Sequence, residues 1–414
     1  VGGDSDITGN IGASNSLGSI TLSDTGTDVF GGTVNADNIN FTGTSNAVFN
    51  DDVTSVVGGI DFNNNSGTIE FADNADLNGP ILSTGGTNGI ITFQGTSNVT
   101  GNLGTTSSTG FNTLNINGSG DTVTLNSTIH GSDVNIAAGA TLSTSSTVNI
   151  STADIGAGAT FDATSGDVNG DVNFSSAGEF NLGDGVDVTG SIDNTSAGAG
   201  VGTLTSASSG ANNSIVSGAV GATDSLAAIN LTGNGTFQFN STVNAATITA
   251  DAAGGTLDFN DDVTGNINLV DNATVDLAES GVDVDGAIDN TSGSSGRGIL
   301  LLGVGDVTTI TGNVGASDSL SSITLSTIAD NFGGTVNADD INFVAGTTTN
   351  FSGNVTTANG IDFNNNGGTA IFADNVNLNG SMLSTGGVNG IITFLGQVMS
   401  QALSALARRP GSPP

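Results

Sequence analysis

The sequence predicts an all-β chain wound as an elongated parallel β-solenoid, a β-helix, and three observations predict it. Short apolar–polar alternations recur throughout, Gly, Asn, Asp, Ser and Thr punctuate them, and whole phrases return along the chain. Alternation of period two puts Val, Ile, Leu and Phe on one face of a strand and polar residues on the other. Asn38-Ile39-Asn40-Phe41, Thr68-Ile69-Glu70-Phe71 and Leu257-Asp258-Phe259 are of this kind. Short runs bounded by such residues are strand and turn chemistry. A four-residue strand cannot bury its face alone, so each coil must stack on another, at about 4.8 Å per coil. At roughly 20 residues per coil, on the order of 20 coils and a length of roughly 90–100 Å are expected. An array of β-sandwiches or barrels is the alternative, since strands every roughly 8–12 residues would also suit it.

The returning phrases set the organisation. Ile7–Leu22 reads ITGNIGASNSLGSITL, Ile310–Leu325 reads ITGNVGASDSLSSITL, and Ile215–Leu231 reads IVSGAVGATDSLAAINL. A weaker copy starts at Gly101. The marker glycines Gly9, Gly101, Gly218 and Gly312 lie 92, 117 and 94 residues apart. Phe30–Gly95 returns as Phe332–Gly396, FNDDVT occurs at 49–54 and 259–264, and residues 185–196 return at 281–292. The chain therefore reads as a single repetitive region, 1–396, of about four degenerate modules near 1–95, 96–210, 211–305 and 306–396. Residues 397–414 hold two of the three Arg, three of the four Pro and no acid. They read as an off-pattern tail, non-native to the repeat, and are set aside from the fold.

Composition narrows the function. The chain has 39 acidic residues against Arg297, Arg408 and Arg409, no Lys, and a formal net charge of -36. Such a chain repels phosphate backbones and anionic lipid, so no nucleic-acid partner is expected. Charged residues make up only 10% of it and hydrophobic ones 36%, which argues for order over disorder. The absence of Cys excludes disulfides and thiolate metal sites. No run approaches the roughly 20 apolar residues that span a bilayer. A chain that opens on Val1, with no signal peptide, reads as internal to a larger precursor.

Candidate chemistry is sparse. His130 is the one imidazole, in Ile129-His130-Gly131, and has no distinguishable Ser or Asp partner. The acid pairs Asp51/Asp52 and Asp261/Asp262, in the repeated FNDDVT, are the metal candidates, with Asp4/Asp6 and Asp283/Asp285 beside them. Calcium takes six to eight oxygens in a tight loop. Neither the calcium-solenoid nonapeptide nor an EF-hand loop occurs. In the last module FNDDVT becomes Phe351-Ser352-Gly353-Asn354-Val355-Thr356, without either acid. At most these pairs would give weak calcium binding to an acidic surface, and no dedicated metal site is expected. Two carboxylates could serve a glycosidase, but a uronate-cutting enzyme also needs a basic residue, and only Arg297 and His130 are available before the tail. Without Lys no P-loop exists. Thr-rich runs such as Thr141–Thr147 suggest an ice-binding lattice, but Asn and Asp interrupt them. The expectation is a protein with no catalytic residues and no cofactor.

GNVGASDSLSSITL, FGGTVNADDINF, GTLDFNDDVTGNINL and STGGVNGIITFLG resemble the passenger regions of the rickettsial surface cell antigen autotransporters, of outer membrane protein A/B type. The likeness spans nearly all of residues 1–396. It implies an exported β-solenoid passenger at the bacterial surface, attached to the outer membrane. It also implies adhesion, a coat role and a C-terminal translocator β-barrel beyond this chain. The implied partners are the host cell surface or neighbouring surface proteins. A purely structural surface-layer or filament subunit and a solenoid polysaccharide hydrolase are the other readings. The lack of Lys departs from what the family leads one to expect.

Overall fold

The computed structural model describes residues 3–396, apart from 107, 278–280, 304–306, 327 and 388. The tail at 397–414, expected to depart from the pattern, lies outside the described residues. The described chain is all strand and turn, with no helix, and it winds as a parallel β-solenoid of about 19 turns. Contacts divide it into two units, Val1–Ile229 and Asn230–Pro414.

In the first unit the early coils contribute three short strands each, while in later coils one long strand such as Ile129–Ile136 covers two of the three faces, and each strand pairs in parallel with its counterpart one coil away. On one face Phe30, Phe49, Phe71, Phe93, Ile116, Ile136, Ile155 and Phe174 lie in register, one above another. The second face aligns Val34, Val53, Leu77, Val99, Leu125, Thr144, Ala163 and Leu182. The third aligns Ile39, Ile60, Ile81, Leu103, Ile129, Val148, Val168, Val188 and Val216. Nearly all of these side chains are buried. They alternate with half-exposed polar neighbours, as in Thr68–Phe71. The second unit repeats the plan. Val263, Val284, Ile310, Phe332, Phe351, Phe372 and Phe394 form one column. Ile267, Ile288, Val314, Val336, Val355 and Leu378 form another.

Aromatic rings stack along these columns. Phe30 and Phe49 have centroids 4.9 Å apart, Phe71 and Phe93 4.9 Å, and Phe332 and Phe351 5.4 Å. Parallel pairing imposes this spacing, because identical positions sit one strand separation apart.

The coils vary in length. Hydrogen bonds between adjacent coils join residues 19 positions apart at Asn181–Asp162 and 28 apart at Ile215–Asp187. Strands stay in register because the corners absorb the difference. The returning phrases do not return to the same face. In the first unit Ile7 starts its copy on the face of Phe30, Val99 precedes Gly101 on the second face, and Val216 precedes Gly218 on the third. The structural repeat is thus the coil, and the longer phrase steps round it by one face per copy.

The marker glycines Gly101, Gly218 and Gly312 have a steric role, whereas a Cβ on Gly9 would meet nothing. In the second unit Gly265, Gly286, Gly312, Gly334 and Gly353 stack at one corner. A Cβ on Gly312 would stand 2.4 Å from the Gly286 carbonyl oxygen, and one on Gly334 2.4 Å from that of Gly312. Gly170, Gly190 and Gly218 make the same contact in the first unit, with 2.2 and 2.4 Å. Only glycine permits backbones to approach so closely.

Candidate functional site

The acid pairs take part in the winding itself. Asp51 Oδ1 accepts the Asp52 N–H at 2.9 Å, a local turn. Asp52 Oδ1 accepts the N–H of Asp76, one coil on, at 3.0 Å, and Asp76 Oδ1 accepts that of Asn98 at 2.7 Å. In the second unit Asp261 Oδ1 accepts the Asp262 N–H at 2.8 Å. Asp262 in turn accepts the Asp283 N–H at 2.9 Å, and Asp283 that of Thr309 at 2.6 Å. Each carboxylate covers a backbone donor that the corner would otherwise leave open. The loss of the second acid in the last module now has a reason. Asn354 Oδ1 accepts the Asn377 N–H at 2.9 Å, so the position requires an acceptor oxygen and not a charge. Asp4 and Asp285 are engaged in the same manner, by Thr27 N–H and the Thr311 hydroxyl, each at 2.9 Å.

Among the described residues no group of three or more His, Cys, Asp or Glu is placed to share a metal ion. His130 lies between Phe111–Ile116 and Val148–Ile155, paired with Asn149. Its Nδ1 is buried without a partner, and burial pushes its pKa down by disfavouring the charged ring. Arg297 pairs with Asp271 at the surface, across one coil.

Sequence reasoning missed a recurring clamp. Asp61 accepts both the N–H and the hydroxyl of Thr84, at 3.0 and 2.7 Å. Asp193 does so with Thr223, Asp289 with Ser317 and Asp362 with Thr385. The available signal was Ile-Asp followed, about one coil later, by Ser-Thr-Gly-Gly or Gly-Ala-Ser/Thr-Asp-Ser. Burial works against the charge of Asp362, but hydrogen bonds from Asn364 and Thr385 outweigh it and hold the carboxyl below its ordinary value. Buried Asn194 and Asn290 complete two of these corners by donating to carbonyls of their own loop and of the next coil.

Outside, polar rows run along the stack. Asn135 Nδ2 donates to Asn115 Oδ1 at 2.9 Å, Asn169 to Asn149 at 3.0 Å, and Asn350 to Asn331 at 2.8 Å. Thr122, Thr141 and Thr160 do fall in register, and Glu179 interrupts the row before Thr203. A shallow depression bounded by Thr27, Asn46, Val48, Thr68 and Glu70 is open to solvent and holds one titratable side chain.

The architecture defines the class, a parallel β-solenoid with an apolar interior and amide, hydroxyl and carboxylate rows outside. The chain is 29% identical over 428 aligned residues to "Outer membrane protein A" of Rickettsia rickettsii. The match takes in 95% of this chain and 16% of that protein, so the chain spans about a sixth of its relative. No family model matches, and no solved structure matches. Among the described residues no helix is long and apolar enough to cross a membrane.

Proposed function

We propose that this chain is a stretch of an exported bacterial surface protein, the passenger of an autotransporter attached to the outer membrane, acting in adhesion and as a coat. The observation that carries the reading is the coil stack, whose outward rows of Asn, Thr, Ser and Asp present a broad polar face. A broad face of this kind suits contact with a host cell surface or with neighbouring surface proteins. The distant likeness over most of the chain supports the same reading, as do the returning phrases, here put at four modules. Asp52 and Asp262 serve backbone donors of the next coil, which supports a non-enzymatic role.

Beads coated with the purified chain should bind cultured host cells well above beads coated with an unrelated protein of equal negative charge. Equal binding would remove adhesion and leave the coat role. Release of new reducing ends from an acidic polysaccharide would overturn both in favour of a hydrolase.

A further inference from the structure

The first and the last described coils leave their apolar columns uncovered, and the returning phrases show what each column takes when it is covered. Phe394, Leu378 and Met382 finish three columns on the last coil. Phe394 is 44% exposed and the other two are half-buried. Their counterparts Phe93, Leu77 and Ile81 are buried, because parallel pairing sets Ile116, Val99 and Leu103 of the next coil on them. On the first coil Leu17 is 44% exposed, and Ile7 and Ile11 are half-buried. Their counterparts Leu320, Ile310 and Val314 are buried, the last two on Val284 and Ile288 of the coil before. Matching positions are thus covered in one copy and open in the other.

Both open coils are also free of charge. No residue from 7 to 22 is acidic or basic, and none from 375 to 396. Asn15 stands where the covered copy has Asp318, and Asn377 where it has Asp76. A net charge of -36 keeps copies of this chain apart over the rest of their surface. Contact between copies is therefore favoured where two neutral faces meet. The strand Ile391–Phe394 is an unguarded edge, followed by Leu395 where the earlier copy has Gln94.

We propose that a second copy of the chain stacks its first coil on this last one, head to tail. Ile11 then lies on Leu378, Ile20 on Met382 and Phe30 on Phe394, so three columns continue in register from one copy into the next. Ser5–Ile7, which pairs with Thr27–Phe30 and has no buried residue, yields its place to Ile391–Phe394. The exchange takes the Ser5 hydroxyl from Asp28 and sets the larger apolar pair Ile392 and Phe394 inside. Because the contact is heterologous, a dimer keeps one open coil of each kind and further copies can add.

Sedimentation velocity of the full chain should show species of two and more copies that grow with concentration. They should form more readily at about 0.5 M NaCl than at physiological salt, since screening weakens the repulsion between chains. Phe394→Asp should move association to at least about tenfold higher concentration. Val307→Asp, at an apolar residue 45% exposed elsewhere, should leave it unchanged, and circular dichroism checks that both variants fold. The chain has no Cys, so single cysteines report the register. Thr393 and Val29 face outward and adjoin each other in the proposed contact. Mixed and oxidised, Thr393→Cys and Val29→Cys should give a crosslinked dimer, and neither should crosslink alone. A chain that stays monomeric at every concentration would overturn the proposal. So would crosslinking of Thr393→Cys by itself, since last coils would then be meeting each other.

Discussion

At the scale of single residues, asparagine does work that glycine does elsewhere. Asn63 and Asn64 have φ of 47° and 63°, and Asn364 and Asn365, in the returning phrase, 43° and 67°. This left-handed conformation disfavours most side chains, and Asn tolerates it best after Gly. Asn64→Gly should therefore keep the stability of wild type, while Asn64→Ala should lose about 1 kcal/mol, as urea denaturation would show. Equal losses in both variants would mean that the Asn64 side chain matters more than its backbone. Acids at the corners divide by sign. Asp362 is held below its ordinary value, so its bonds contribute stability above the unfolded pKa, about 3.9, and that contribution fades as pH falls through the folded value. The stability gap between wild type and Asp362→Ala should then be constant near neutrality and close in acid. Asp187 behaves oppositely. Burial raises its pKa, the Ile215 N–H opposes, and the charge of Asp167 adds to the rise. Its ionised form costs stability at neutral pH, so Asp187→Asn, which keeps the acceptor for Ile215, should raise the melting midpoint at pH 7 and not in acid. A lower midpoint at pH 7 would show that the charge itself is needed.

At the scale of the element, the columns and corners carry the fold. Phe49 is fully buried between Phe30 and Phe71, with ring centroids 4.9 and 5.6 Å away. Phe49→Ala leaves a ring-sized void between fixed neighbours and should cost about 3–5 kcal/mol, read as local loss of protection in amide hydrogen exchange. Contacts in a solenoid are local, so the loss should centre on Thr27–Phe30, Asn46–Phe49 and Thr68–Phe71 and fade beyond them. Uniform loss along the chain would contradict that locality. Strand chemistry and the inward face were legible in the sequence, as the alternation at Thr68–Phe71 shows. The inter-coil clamps were not. Asp61 and Thr84 are 23 positions apart, and nothing local tells which corner will lie above which when loops differ in length.

At the scale of the whole molecule, order passes from coil to coil. Each strand finds its partners about one coil before and after it, so folding can spread from an end as a chain emerges from a pore. If export requires an unfolded chain, a covalent link between coils should stop it. Thr141 and Thr160 pair directly across adjacent coils. With both replaced by Cys, surface display in an autotransporting host should stall under oxidising conditions and recover with reductant. Undiminished display of the oxidised chain would reject passage in the unfolded state.

The sequence by itself determined the strands, their inward faces and the polar corners, because a period of two and turn-forming residues act over a few positions. Only the tertiary structure decided which coil corner meets which. It thereby placed Asp52 and Asp262 as acceptors for backbone donors one coil on. Stacking register depends on the summed lengths of loops, a quantity that no short stretch of sequence contains.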